Sequence, residues 1–376
     1  MAKAEQMNVA PASPELTART ATTGAAAQRF LLLDGLRGLA AFAVILDHTP
    51  ANVLGDLVPG RYLAVDFFFV LSGFVLANAY GKRLEGGWSV FAFMRARVIR
   101  LYPLYFAGMI IGLSLVLVGV MRGWEATPIG QIGVFVLFGL LFLPAPPIYD
   151  FGGGHLYPFN GPSWSLFFEL VVNFIYGLIA KVLTWRWLFA ILIVGAVALV
   201  YTLMRHSTVG GPGWLWGHFD AALARVIFDF FAGVALFRMR ERFRMPALPP
   251  LVPALMFLAV IATPVAAEWR AVYDAVAAIA FMPLLVALAS EAKVSGRVGR
   301  ACEGLGAMSY GVYVLHVPLM GMLLLAAKTV QIDLPGLAVV GLIVVIAGLA
   351  AIVLHHTYDG PMRRWLSEKL PGRASR

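Results

Sequence analysis

The 376-residue sequence is 60% hydrophobic and only 13% charged, and its mean hydropathy is +0.82. A soluble protein of this length would need far more charged surface, so the composition excludes that class and predicts a polytopic integral membrane protein. The net charge of +9 comes from short basic clusters between apolar runs, a pattern that orients membrane helices and gives no reason to expect nucleic acid. One cysteine, Cys302, excludes an intrachain disulfide and a thiolate metal cluster, and no metal is expected.

The chain begins with a Pro-, Ala- and Thr-rich segment, residues 1–29, which is predicted to be a disordered cytoplasmic tail. Apolar segments of about 20 residues, the length that crosses a bilayer core, follow. We predict ten full crossings with both termini in the cytoplasm and 129–145 as a short re-entrant or interfacial helix, because this assignment places most Lys and Arg inside. Residues 30–366 then form one all-α membrane domain, and 367–376 form a cytoplasmic tail. The apolar segments are 31–52, 62–80, 101–121, 129–145, 164–183, 186–204, 220–238, 249–267, 270–290, 307–328 and 334–356.

The first apolar segment carries polar side chains along one face. In "LDGLRGLAAFAVILDH" (33–48), Arg37 and His48 return to nearly the same side of a helix, roughly 16 Å apart along its axis. Asp34 lies one turn before Arg37 on that side. An ion inside a membrane is costly and usually functional, although Asp34 and Arg37 would also suit an anchor at the helix end. His48 taken alone fits a structural role as well as a catalytic one.

Polar residues recur at helical spacing in four further segments, and together they predict a polar cavity inside the bundle. A lone carboxylate in an apolar span, such as Glu169, needs a partner or a role. Arg225 and Asp229 are spaced i, i+4 and are expected to pair, chiefly as a structural contact. The four sets are Asp66 with Ser72; Ser165 with Glu169, Asn173 and Tyr176; Arg225 with Asp229; and Ser309 with Tyr313 and His316.

A basic cluster lies just before the third span, in "FMRARVIRLYP". Arg97 and Arg100 share a helix face there and suit the phosphates of a cytoplasmic, nucleotide-bearing substrate. A purely orienting role for the cluster is an equal alternative. No P-loop, dinucleotide-binding fingerprint, metal-ligand array or GxSxG elbow accompanies it.

Six segments in order along almost the entire chain resemble the acyltransferase 3 family of polytopic membrane acyltransferases, which includes bacterial O-antigen and exopolysaccharide O-acetylases. The family's C-terminal motif often reads Tyr-Glu-x-Pro, whereas this chain has Tyr358, Asp359, Gly360 and Pro361. The six segments are "LDGLRGLAAFAVILDH", "VDFFFVLSGFVLANAY", "RARVIRLYPLY", "PSWSLFFELVVNFIYG", "SYGVYVLHVPL" and "YDGPMRRWL".

The resemblance implies transfer of an acyl group from cytoplasmic acyl-CoA to a hydroxyl of a cell-envelope or exported glycan or lipid-linked glycan. An acetyl group is the expected acyl group. It implies that Arg37 and His48 are essential, and that Arg97 and Arg100 act with Arg37 on the donor. Acetyl-CoA would be a co-substrate, so no permanently bound cofactor is expected. It also implies that Glu169 and His316 are pocket residues, and we assign Glu169 to the catalytic centre. The full set of expected pocket residues is Asp34, Asp66, Ser72, Trp164, Ser165, Tyr313 and His316.

Roles follow from that resemblance as expectations. His48 would be the general base on the acceptor hydroxyl, and an acyl-histidine intermediate is the variant that the sequence leaves open. Glu169 would orient His48 or the acceptor, and His316 would protonate the leaving thiolate. The lipid bilayer, acyl-CoA and the glycan are the expected partners, a homo-oligomer is left open, and a bacterial inner membrane is the expected location.

A transporter or flippase whose polar residues line a pathway is the competing class, because intramembrane His, Glu and Arg also serve proton coupling. A membrane-bound O-acyltransferase of the other large family is a weaker alternative, since the order of motifs does not match it.

Overall fold

In a computed structural model, which describes residues 30–49, 57–149, 153–206, 211–240 and 242–370, the chain is a bundle of eleven helices. Each predicted apolar segment overlaps one of these helices, which confirms the all-α membrane bundle. The predicted tail 1–29 and residues 371–376 lie outside the described residues. The helices are α1 (Leu31–His48), α2 (Ala64–Glu85), α3 (Val90–Met121), α4 (Ile129–Leu140), α5 (Ser163–Ile179), α6 (Trp185–Arg205), α7 (Phe219–Arg240), α8 (Leu251–Ala262), α9 (Ala267–Glu291), α10 (Gly296–Thr329) and α11 (Gly336–Lys369).

Six of these helices, α2, α3, α6, α9, α10 and α11, are long and apolar enough to cross a membrane. Helix α4 has 12 residues and is about 18 Å long, well short of the roughly 30 Å core, which agrees with the expectation that it does not cross. Helix α8 also has only 12 residues, although 249–267 was predicted to cross completely. Prolines at 249, 250 and 264 flank α8 and limit the helix. The number of ten crossings and their sidedness stay predictions.

Glycines bring two central helix pairs into close contact. A Cβ atom on Gly38 of α1 would lie 2.5 Å from the Cβ of Leu305 on α10, and one on Gly233 of α7 would lie 2.0 Å from the carbonyl oxygen of Val70 on α2. Small residues let membrane helices approach until their backbones pack, which replaces the hydrophobic driving force that lipid does not supply. The polar faces of α1 and α10 therefore meet at short range.

The outer helices turn apolar side chains away from the bundle. On α6, the apolar side chains of Phe189, Ile193 and Val197 are each more than half exposed on the outside of the bundle. Such a surface is unfavourable in water and favourable against lipid chains. With the six long apolar helices, it identifies an integral membrane protein.

Candidate active site

A cavity of about 320 Å³ lies between α1, α2, α3, α5 and α10. Its walls combine apolar residues of α2 with polar groups from each of the other four helices. The predicted polar cavity is thus confirmed, and three of the proposed pocket residues, Ser72, Ser165 and Tyr313, line it. The polar lining residues are Arg37, Ser72, Arg97, Arg100, Ser165, Glu169, Ser309, Tyr310 and Tyr313.

Three arginines from two helices face this cavity. Arg37 of α1 forms an ion pair with Asp34 at 3.1 Å and donates to the Ser309 hydroxyl at 2.9 Å. Another nitrogen of Arg37 donates to the Gly306 carbonyl at 2.8 Å, so α10 fixes its position. Asp34 therefore holds the Arg37 guanidinium through an ion pair and does not itself line the cavity.

Arg100 differs from the other two arginines. Its guanidinium carbon lies 5.8 Å from the centre of the Tyr310 ring, and it forms no hydrogen bond or ion pair within the described part of the chain. A guanidinium has five N–H donors, so Arg100 keeps its donors for a ligand. Because burial of an unpaired cation is costly, the cavity is best suited to an anion.

The Glu169 carboxylate forms an ion pair with Arg97. A terminal nitrogen of Arg97 donates to Oε1 of Glu169 at 2.6 Å, and Ser72 donates to the same oxygen at 3.1 Å. The expectation that Glu169 orients His48 is therefore wrong in this structure, because its carboxylate faces α3 and α2. A contact of Glu169 with the acceptor stays a prediction.

His48 and His316 form an imidazole pair outside the lining of the cavity. Nε2 of His316 lies 3.2 Å from Nδ1 of His48, and the two rings meet edge to face with centroids 4.9 Å apart. His316 is completely buried, whereas His48 is half-buried at the end of α1. The structure thus brings the two predicted histidines together, although neither belongs to the cavity wall.

Tyr313 stands between the cavity and the imidazole pair. Its hydroxyl lies 2.6 Å from the Ser165 hydroxyl, and its ring packs edge to face on Phe68 at 5.3 Å. The same ring is 6.2 Å from the imidazole of His316. Tyr313 therefore contacts both the cavity lining and the neighbourhood of the imidazole pair.

Asp66 and Trp164 are not part of the cavity, contrary to expectation. Nε and a terminal nitrogen of Arg225 donate to the two carboxylate oxygens of Asp66 at 2.9 and 2.7 Å, and Trp164 packs against the same guanidinium at 5.7 Å. The predicted i, i+4 pair of Arg225 with Asp229 does not form, because the Arg225 guanidinium points to α2 instead. This buried pair joins α2 to α7.

Sequence reasoning missed several residues of the site and its surroundings. Tyr310 and Phe68 were not singled out, because an aromatic residue in an apolar span gives no signal of its own. Two further polar contacts join distant segments: Asp47 forms an ion pair with Arg61 at 3.1 Å, and the Tyr62 hydroxyl donates to Asp274 at 2.6 Å. Among the described residues, no group of three or more His, Cys, Asp or Glu side chains is placed to hold a metal ion.

Comparison with known proteins agrees with this arrangement. Residues 30–355 match the profile of the acyltransferase domain family called acyltransferase 3. The chain is also 40% identical over 183 residues to "Protein 2 in picA locus" of Rhizobium radiobacter, an alignment that covers 46% of this chain and 94% of that protein. No solved structure matches the chain. Because the family match extends over most of the helical bundle, the protein belongs to the acyltransferase 3 family and is a membrane-bound acyltransferase.

Proposed function

We propose that the protein moves an acetyl or other acyl group from cytoplasmic acyl-CoA to a hydroxyl of a cell-envelope or exported glycan or a lipid-linked glycan. The convergence of Arg37, Arg97 and Arg100 on one cavity is the observation that carries the donor assignment. Three guanidiniums that line one cavity favour a polyanion, and the CoA phosphates supply one.

The donor would bind with its phosphates at the arginines and its acyl end directed towards Tyr313. Arg100 forms no hydrogen bond with any residue that the structure describes, while Arg37 and Arg97 are held by Asp34 and Glu169 and present fixed positive charge. The apolar wall of α2 suits the pantetheine arm, which is narrow and has few charged groups.

His48 would act on the acceptor hydroxyl. Its Nε2 takes the hydroxyl proton while the acceptor oxygen attacks the thioester carbonyl carbon, the C–S bond breaks, and CoA leaves as the thiolate. The imidazolium then returns its proton to the thiolate, which restores neutral His48. In the acyl-histidine variant, His48 itself attacks the thioester and the acceptor attacks the acyl group in a second step.

The proposed orientation places both termini in the cytoplasm of a bacterial cell, in the inner membrane. Support comes from the distribution of basic residues, which follows the rule that cytoplasmic loops are enriched in Lys and Arg. Single cysteines at Arg122 and Lys293, introduced into a Cys302→Ser background, test it. An impermeant maleimide added to intact cells should label the cysteine at 122 and leave the one at 293 unlabelled; the reverse pattern would overturn the orientation.

Membrane vesicles of opposite orientation test the transfer reaction. Acetyl-CoA labelled in the acetyl group cannot cross the bilayer, so inside-out vesicles should label an endogenous glycan and right-side-out vesicles should not. The label should be released by mild alkali, as expected for an ester. Equal labelling in vesicles with and without the protein would refute the proposed function, and labelling only from right-side-out vesicles would refute a cytoplasmic donor.

A further inference from the structure

The two ring nitrogens of His316 have different partners, and these partners fix where its proton lies. Nδ1 lies 2.8 Å from the carbonyl oxygen of Tyr313 and 3.2 Å from that of Val312, both in the preceding turn of α10. A carbonyl oxygen can only accept a hydrogen bond, so Nδ1 of His316 carries the proton. In the neutral ring, Nε2 of His316 is then an acceptor, and it points at His48.

The same reasoning fixes the proton of His48. Its Nδ1 lies 3.1 Å from the Val44 carbonyl oxygen and 3.2 Å from Nε2 of His316, and both of these atoms accept. Nδ1 of His48 must therefore be the N–H donor, and its lone pair is on Nε2. Nε2 of His48 forms no hydrogen bond with any residue in the described ranges.

We propose that His316 is a positioning residue that, together with the Val44 carbonyl, holds His48 in the tautomer with a proton on Nδ1 and a free lone pair on Nε2. This inference rests on the proposed function of His48 as general base. When Nε2 of His48 takes the acceptor proton, the Nδ1–H donor becomes part of a cation. A hydrogen bond with a charged donor is about twice as strong as a neutral one, so His316 stabilises the imidazolium more than the neutral ring.

This arrangement also reassigns His316. The sequence expectation made it the proton donor to the leaving thiolate, but its only proton is held by backbone carbonyls and its lone pair faces His48. His316 is also completely buried. It therefore neither gains nor loses a proton in the reaction; the proton goes from the acceptor hydroxyl to His48 and from His48 to the CoA thiolate.

Two substitutions at position 316 separate an acceptor role from a packing role. His316→Gln can offer its amide oxygen to Nδ1 of His48, whereas His316→Leu fills similar volume without an acceptor. Because a hydrogen bond to a charged group contributes about 1.5–3 kcal/mol, the Leu variant should lose roughly 10- to 100-fold in kcat while KM for acetyl-CoA stays unchanged. The Gln variant should recover most of that loss, and His356→Leu, at an exposed histidine of α11, should behave as the wild type.

Each outcome of this comparison decides the inference. Wild-type kcat in the Leu variant, or equal losses in the Leu and Gln variants, would overturn the acceptor role of His316. If the Leu variant does not fold, 15N chemical shifts of histidine-labelled wild-type protein, assigned with His48→Gln, report the tautomer directly. A proton on Nε2 and a bare Nδ1 in His48 would overturn the inference without any change at 316. Absence of transfer by the wild type would instead refute the proposed function itself.

Discussion

Arg100 offers the cleanest test of the donor site, because its replacement removes a proposed ligand contact and breaks no hydrogen bond or ion pair among the described residues. Its guanidinium is repelled by Arg37 and Arg97 and attracted by the buried Asp359. Because these effects oppose each other, Arg100→Gln should leave the thermal unfolding temperature nearly unchanged. Most buried arginines would show the opposite, since loss of one member of a buried pair is strongly destabilising.

The kinetic effect of Arg100→Gln follows from one lost charge-assisted hydrogen bond to a phosphate. Such a bond contributes about 1.5–3 kcal/mol, which corresponds to roughly 10- to 100-fold in affinity. We expect KM for acetyl-CoA to rise by that factor and kcat to change little, because Arg100 does not contact the reacting atoms in the proposed arrangement. The assay is CoA release by purified protein in lipid nanodiscs at several acetyl-CoA concentrations.

Arg297→Gln is the matched control for this experiment. Arg297 is an exposed residue at the start of α10, outside the cavity, and its loss removes the same charge from the chain. KM in this variant should stay within twofold of the wild type. If Arg100→Gln and Arg297→Gln change KM equally, the cavity does not bind the donor phosphates. A fall in kcat without a change in KM would equally refute the assignment of Arg100 to donor binding.

Three further substitutions test the packing and the ion pairs around the site. Gly233→Ala puts a Cβ where a carbonyl of α2 now lies; it should lower stability by about 1–3 kcal/mol or more, seen as an earlier unfolding transition in detergent. Asp66→Asn leaves the Arg225 charge buried without its carboxylate and should cost about 3–5 kcal/mol, so little folded protein should survive size-exclusion chromatography; a normal yield would contradict the pairing. Glu169→Gln adds net positive charge to the cavity and should lower KM for acetyl-CoA, and an increased KM would contradict the anion site.

Most of the fold and part of the site could be predicted from the sequence. Apolar runs of spanning length marked all eleven helices, because a membrane segment must satisfy its backbone internally and be apolar outside. Arg37 with Asp34 could be predicted from helical spacing alone, since both lie on α1. The length of α8 was overestimated, because the sequence stays apolar through the prolines at which the helix begins and ends.

Contacts between helices were where sequence reasoning went wrong. Spacing suggested that Arg225 pairs with Asp229 on its own helix, but the partner is Asp66, on a helix brought close by Gly233. In the same way, Glu169 was expected to orient His48 or the acceptor, and its carboxylate pairs with Arg97. Helical periodicity says which side chains share a face, and it contains no information on which neighbouring helix that face meets.

The imidazole pair shows the same limit. His48 and His316 were each recognisable as polar residues in apolar spans, but their 3.2 Å contact depends on the packing of α1 against α10. That packing depends in turn on glycines such as Gly38, whose importance appears only when the facing residue is known.

The most direct measurement of the central claim is CoA release from acetyl-CoA by the wild type and by His48→Ala, with and without a cell-envelope glycan fraction. The exposed His356 provides the matched control, as His356→Ala. We predict that the glycan stimulates CoA release by the wild type and by His356→Ala, and that His48→Ala binds acetyl-CoA but shows no stimulated release. Full glycan-stimulated release by folded His48→Ala would contradict the assignment of His48 as the group that activates the acceptor.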